Sequence, residues 1–292
     1  MLYSMSNWIY DLGREPLAIT FQRLKRYGYD GVELVGEPQQ YDVVQVRRQC
    51  EQHGLRILSV LGWCIAPTDS RDLAHPEPRI RENSIAYIRQ SVDFAVAVGA
   101  PLVVVIPAPA GRTAPVGDVS DEKAWRVAYD HEWHNAVEAV KVAAAYAEEK
   151  RVLLAIEPIN RYESFMVNST EQGLRFVHEV GSPAVKLHLD TFHMNLEDPD
   201  PAEAVRKAGA SLVNMHIADS TRGPVGSGHT DFKAIVRALK EIGYAGALTL
   251  EPIPPHPNGF IAACAQEYLP LRDAYAEQSI TRLRQYEAQV AP

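Results

Sequence analysis

The sequence predicts an α/β fold, a (β/α)₈ barrel of the TIM type, formed by a single domain over residues 1–292. The main reason is that eight strand-like runs alternate with eight helical patterns, which implies parallel strands joined by helical crossovers. The length of 292 residues also suits one such barrel, which typically takes about 250 residues. A doubly wound open sheet would give the same alternation, but the number of repeats favours the closed barrel.

The predicted strands are short runs rich in apolar and β-branched residues. In chain order they cover residues 2–6, 31–35, 56–60, 102–106, 152–157, 184–190, 212–216 and 247–251. The segments between them are longer and carry apolar residues at positions i, i+3 and i+4, as one buried helix face requires. These helices cover residues 16–27, 42–53, 79–98, 123–150, 170–180, 201–208 and 232–242, with a last helix within 262–290.

Glycines mark the ends of most predicted helices. Three junctions, YGYDGVEL, HGLRILSV and IGYAGALTL, each show a helix stop followed directly by a strand. Glycine supplies the left-handed backbone conformation that commonly ends a helix. The glycines expected to do so are Gly28, Gly54, Gly99, Gly181, Gly209 and Gly243. No proline-, glycine- or serine-rich linker divides the chain, which favours one domain over two.

Composition and charge exclude several classes of protein. The chain is 46% hydrophobic and 23% charged, as soluble globular proteins are, and its net charge of −8 argues against a nucleic-acid partner. Three scattered cysteines (Cys50, Cys64 and Cys264) form neither a disulfide framework nor a thiolate zinc motif. The N-terminus does not have the pattern of a signal peptide, and no apolar run approaches the roughly 20 residues of a membrane span. We therefore expect a cytoplasmic protein without membrane contact.

Four consecutive predicted strands, the fifth to the eighth, end in a residue type that binds metals: Glu157, Asp190, His216 and Glu251. A charged group at the end of a buried strand is costly unless it is paired or coordinated. Neighbouring strands lie about 4.8 Å apart, so four successive ends can converge on one ion. Three carboxylates and one imidazole suit Mn²⁺, Mg²⁺ or Co²⁺ better than a closed zinc site, and we expect one divalent ion, with Mn²⁺ first.

Two of these residues also have the placement of an acid/base pair. Glu157 and Glu251 lie three strands apart around a ring of eight, so they would flank a bound substrate from different sides. Carboxylates on opposite faces of one carbon can remove a proton from one face and return a proton to the other.

The stretches EPINRYESFMVNS, KLHLDTFHMNLED, MHIADSTRGPVGSG and LKEIGYAGALTLEP closely resemble the ketose 3-epimerases. This D-tagatose/D-psicose 3-epimerase group belongs to the xylose isomerase-like sugar isomerase/epimerase barrels. The resemblance covers essentially the whole chain and is strongest over residues 155–252. It implies that Glu157, Asp190, His216 and Glu251 hold the metal, and that Glu157 and Glu251 exchange protons at C3 of a sugar.

The resemblance also implies a substrate-binding set. Glu163 is similar to the family's substrate-contacting glutamate, while His193 and Arg222 resemble the groups that hold the oxygens at C1 and C2 of a ketose. Glu33 resembles a supporting acidic residue. From the residues alone, Arg222 could instead pair with Asp219 at the surface, and His193 could be a cap or a core residue. Relatives are commonly dimers or tetramers, so a homo-oligomer is expected.

Two departures from the family pattern affect the substrate more than the chemistry. The loop at residues 107–117, PAPAGRTAPVG, lacks the aromatic residue that the family often has there, and it could be a plain surface loop or a substrate lid. After Glu251 the chain continues Pro-Ile-Pro-Pro-His-Pro where the family often has Pro-Phe.

The expected activity is epimerisation of a free keto-sugar at C3 through a cis-enediolate. The alternative is a lyase on the same site, either a dehydratase or a 3-keto-glycoside-cleaving enzyme. A DNA-repair nuclease is disfavoured by the net charge of −8 and the single ligand set.

Overall fold

The computed structural model describes residues 1–65, 70–117 and 119–290, in which eight parallel strands close into a barrel. Each strand pairs with its successor along the chain, and the eighth pairs with the first. The strands are β1 Leu2–Ser6, β2 Gly31–Val35, β3 Arg56–Leu61, β4 Leu102–Val105, β5 Leu153–Ile156, β6 Val185–Asp190, β7 Leu212–Ile217 and β8 Ala247–Leu250. The predicted barrel is therefore confirmed. Residues 66–69, 118 and 291–292 of the predicted domain lie outside the described residues.

Helices follow the strands and pack around the barrel. They are α1 Leu17–Tyr27, α2 Val43–His53, α3 Pro78–Val98, α4 Glu122–Lys150, α5 Thr170–Val180, α6 Thr191–Glu197, α7 Pro201–Ala208, α8 Phe232–Glu241, α9 Gly259–Cys264 and α10 Leu269–Gln289. Most predicted bounds are right to within one or two residues. In the part of the chain that the structure describes, no helix is long and apolar enough to cross a membrane.

Two helical segments differ from the prediction. Helix α6 was not predicted, because it is only 7 residues long and begins directly after the last residue of β6. The predicted last helix is two helices, α9 and α10, separated at Ala265 and a short 3₁₀ turn. Pro270 sits in the first turn of α10, where its missing N–H leaves no helical hydrogen bond unmade.

The predicted helix-ending glycines behave as expected with one exception. Gly28, Gly54, Gly99 and Gly181 adopt left-handed conformations with φ between 61° and 85°. Gly209 has φ 49° and ψ −132°, which is outside that region, because the chain continues into a 3₁₀ turn.

Polar side chains line the middle of the barrel interior. Ser4, Glu33, Ser59, His188 and Asn214 are all completely buried. Barrels of this kind are usually filled by branched aliphatic side chains, so this polar layer is a departure that core packing alone does not explain. The apolar core lies outside it, between strands and helices, with Phe21, Phe176 and Phe232 fully or almost fully buried.

Candidate active site

The four predicted metal ligands come together at the carboxyl-terminal end of the barrel. Asp190 ends β6, His216 lies next to the end of β7, and Glu157 and Glu251 follow β5 and β8 directly. His216 Nδ1 lies 3.3 Å from Glu157 Oε1 and 3.4 Å from Glu251 Oε1. Donor atoms of Asp190, His216 and Glu251 all lie within 4.8 Å of one another. All four residues are 5% exposed or less.

The strand register and a helix cap hold Asp190 in this cluster. Asp190 pairs with His216 across β6 and β7. Asp190 also caps α6, because its Oδ1 accepts the N–H of Phe192 at 2.9 Å. The other oxygen, Oδ2, faces the site, 3.4 Å from His193 Nε2. One residue thus ends a strand, starts a helix and presents one oxygen to the site.

Glu33 orients the imidazole of His216. Its Oε1 lies 2.9 Å from His216 Nε2, and its Oε2 accepts a hydrogen bond from Ser59 at 2.7 Å. Burial raises the pKa of Glu33, but the charge and hydrogen bond of His216 outweigh burial and lower the pKa overall. With Nε2 engaged, His216 turns Nδ1 toward Glu157 and Glu251, an arrangement that commonly supports metal-binding histidines.

Electrostatics favours a cation at this place. Burial alone lowers the pKa of His216, but Glu251, Glu33 and Glu157 raise it well above 6.5. Burial, together with the charges of Asp190 and Glu157, raises the pKa of Glu251 to about 8, against the opposing charges of Arg222 and His216. His216 and Glu251 both hold their protons strongly because the carboxylates make the potential at this place negative. A divalent ion bound here would neutralise the same negative charge in place of the protons.

His188, on β6, also belongs to this cluster. It is completely buried, and neither ring nitrogen has a hydrogen-bond partner among the described residues. Its Nε2 lies 3.6 Å from Glu157 Oε1, and its ring centroid is 4.1 Å from that of His216. Buried polar atoms without partners are rare and require an explanation. Three carboxylates with one or two imidazoles fit a divalent ion.

Arg222 occupies the site rather than the surface. Its backbone is left-handed, with φ 60°, and its N–H donates to the carbonyl oxygen of Asp219. Its guanidinium reaches inward, where Nη1 is 2.6 Å from Asp190 Oδ2 and Nη2 contacts Glu251. Burial lowers the pKa of Arg222, but Asp190 and Glu251 raise it overall, so it remains a cation.

Glu163 and His193 are joined through Asn160, a residue that the sequence analysis did not single out. Asn160 Nδ2 donates to Glu163 Oε1 at 3.0 Å and lies 2.8 Å from His193 Nδ1. His193 Nε2 in turn faces Asp190. The NRYE and DTFH motifs therefore meet in space, although about 30 residues separate them in the chain.

A cavity of about 130 Å³ opens above these groups. Trp8, Trp63 and Phe260 form an aromatic wall, with ring centroids 6.2 to 6.4 Å apart. Trp8 Nε1 also donates to Glu251 Oε2 at 2.7 Å. Phe260, on α9, has no sequence signal that would place it here. The predicted site residues that line this cavity are Glu157, Glu163, His193, His216, Arg222 and Glu251.

Comparison with known proteins finds relatives that agree with one another in fold and in named activity. The family model for xylose isomerase-like TIM barrels matches residues 21–286. The chain is 34% identical to an L-ribulose 3-epimerase of Methylomonas sp. (strain DH-1), over 77% of this chain and 74% of the relative. It is 30% identical to a D-psicose 3-epimerase of Ruminiclostridium cellulolyticum, over 79% and 76%. The crystal structure of a Methylomonas D-allulose 3-epimerase in complex with D-allulose superposes with a TM-score of 0.83, at 26% identity, over 98% of this chain and 97% of that one.

Proposed function

This chain belongs to the ketose 3-epimerases of the xylose isomerase-like TIM barrels, and we propose that it interconverts free ketoses that differ at C3. The observation that carries the proposal is the convergence of Glu157 and Glu251 on one imidazole nitrogen, 3.3 and 3.4 Å away. Two carboxyl groups at one small cavity can act on the same carbon from two sides, because their strands stand three apart around the barrel.

In the proposed reaction, one of the two glutamates removes the C3 proton and leaves a cis-enediolate. The other glutamate then donates a proton to the opposite face of C3. Without an ion, burial and its acidic neighbours raise the pKa of Glu251 to about 8, so this carboxyl binds a proton readily. When the other epimer is the substrate, the two glutamates exchange roles, so the reaction is reversible.

Arg222, His193 and Glu163 hold the sugar during this exchange. We assign the Arg222 cation and the His193 N–H to the oxygens at C1 and C2, where negative charge develops when C3 loses its proton. Glu157, Asp190, His216 and Glu251 would hold a divalent ion, which would supply further positive charge to stabilise the enediolate. We expect Mn²⁺ in preference to Mg²⁺, because an imidazole joins the carboxylates in the donor set, and Co²⁺ is the further alternative.

We also infer that the protein acts as a homo-oligomer, a dimer or tetramer, in the cytoplasm. The scattered cysteines, which form no disulfide in the described part of the chain, fit a reducing compartment. The lyase alternative has no comparable support, since the relatives named above are 3-epimerases.

The decisive experiment is incubation of the enzyme with D-psicose, D-tagatose, D-fructose and L-ribulose in D₂O, followed by NMR of the products. We expect deuterium at C3 and the appearance of both C3 epimers. Failure to exchange or invert any ketose, with loss of a substituent from inososes or 3-keto-glycosides, would establish the lyase instead.

A further inference from the structure

The loop after β4 is part of the cavity wall, and it is neither a plain surface loop nor a detached lid. Ala110 lines the cavity, and its N–H donates to the carbonyl oxygen of Cys64 at 3.1 Å. On the other side, Gly111 N–H donates to Glu163 O at 2.7 Å, and Phe165 N–H donates to Arg112 O at 3.0 Å. Residues 110–112 therefore bridge the loop after β3 and the loop after β5 that carries Glu163.

The side chain of Arg112 ties this bridge to the body of the protein. Its Nη2 lies 2.5 Å from Glu132 Oε2, and its Nε lies 2.9 Å from Asp72 Oδ2. The guanidinium also stacks over the ring of Phe165 at 4.4 Å. Glu132, on α4, is completely buried, and its other oxygen accepts the N–H of Val116 at 2.6 Å.

This buried ionic group needs an explanation. Removing two carboxylates and a guanidinium from water is expensive, and such groups are often no more stable than apolar residues of similar size. What they provide is a defined geometry, because a guanidinium forms directed contacts with two carboxylates at once. Here the guanidinium belongs to the residue whose backbone, with that of Gly111, hydrogen-bonds to Phe165 and Glu163.

We propose that Arg112 is a positioning residue for the sugar cavity: through Glu132 and Asp72 it holds the 110–112 bridge, and through the bridge it fixes the backbone of Glu163. The inference rests on the proposed function, in which Glu163 contacts the substrate. Arg112 itself does not line the cavity and does not touch the candidate metal ligands.

The test compares Arg112→Ala, Arg112→Lys and Glu132→Gln in the full-length, metal-loaded protein. Arg112→Ala releases the bridge, so we expect KM for the ketose to rise about tenfold, equal to roughly 1.4 kcal/mol of lost substrate binding. The kcat should change by less than about threefold, because the proton-transfer groups do not move. Arg112→Lys keeps the charge and should recover part of the loss.

Glu132→Gln is a milder change, and it keeps the test informative if Arg112→Ala does not fold. It keeps an acceptor for Val116 and leaves Arg112 paired with Asp72, and we expect a smaller rise in KM. The control is Arg126→Ala. This change also removes one arginine charge, but it breaks only an exposed pair with Glu122 on α4, so KM should be unchanged.

Two readouts separate this inference from the proposed function. Hydrogen exchange of the Gly111 and Phe165 amides needs no turnover, and we expect it to be roughly tenfold faster in Arg112→Ala. The dissociation constant of Mn²⁺ should be the same in all variants. Unchanged exchange in folded Arg112→Ala, or a parallel loss of kcat and Mn²⁺ affinity, would overturn the positioning role. A wild-type protein that turns over no ketose would refute the proposed function, while the exchange rates would still decide whether the bridge is held.

Discussion

Replacing Glu33 with glutamine tests whether the site is built around an oriented imidazole. Glu33 Oε1 lies 2.9 Å from His216 Nε2 in a place without solvent exposure. Glutamine has nearly the same shape but no charge, so it weakens the contact that directs His216 Nδ1 toward the acidic cluster. We expect the Mn²⁺ dissociation constant to rise, while the fold remains intact.

The size of the effect follows from two independent estimates. A buried hydrogen bond to a charged group contributes about 1.5–3 kcal/mol. Loss of a residue that supports a metal ligand typically weakens binding about 10- to 100-fold, which is roughly 1.4–2.7 kcal/mol. The two ranges agree, so a weakening of one to two orders of magnitude is expected.

Isothermal titration of Mn²⁺ into EDTA-treated protein measures this change directly. Ser59→Ala is the matched control, because it removes one hydrogen bond from the same carboxylate but keeps its charge, so we expect a loss of only about threefold. Wild-type Mn²⁺ affinity in a folded Glu33→Gln protein would refute the reasoning. An equal loss in both variants would point to general packing instead of orientation of His216.

Four further outcomes follow from the site. Treatment with EDTA should abolish turnover, and added Mn²⁺ should restore it; full activity in the chelator would exclude a metal role. Arg222→Ala and His193→Ala should each lower kcat/KM by about 10²–10³ with normal metal content, as elemental analysis can check; unchanged kinetics would place them outside the reaction. Phe260→Ala should raise KM about threefold in steady-state assays, because it removes one apolar wall of the cavity, whereas an unaltered KM would separate this ring from the substrate. Light scattering at micromolar concentration should give a dimer or tetramer, and a monomer would contradict the proposed assembly.

Much of the fold and the acidic cluster could be predicted because the signals are local. An apolar run that ends in a charged residue marks a strand and its functional end within a few positions, as at Glu157 and Glu251. Period-two alternation along β6 also puts His188 on the same face as Asp190. It could not predict that His188 lacks a hydrogen-bond partner among the described residues, because that depends on side chains from other strands.

The features that sequence analysis missed depend on distant contacts. Phe260 reaches the cavity only because α9 folds back over the end of β1, beside Trp8. Arg112 stands in a loop that reads as unstructured, and its partners Glu132 and Asp72 are 20 and 40 residues away along the chain. Helix α6 was hidden because Asp190 serves both as the last residue of a strand and as a helix cap.

The two glutamates have different surroundings, and this difference bears on the reaction. Both oxygens of Glu251 are engaged, one by Trp8 and the other by Arg222, in a buried setting that raises its pKa to about 8. Glu157 faces the imidazoles of His188 and His216. A two-base exchange at one carbon needs one carboxyl that carries a proton and one that accepts it, and different environments are how proteins separate such roles. The difference in contacts therefore predicts that the two glutamates are not equivalent in the exchange at C3.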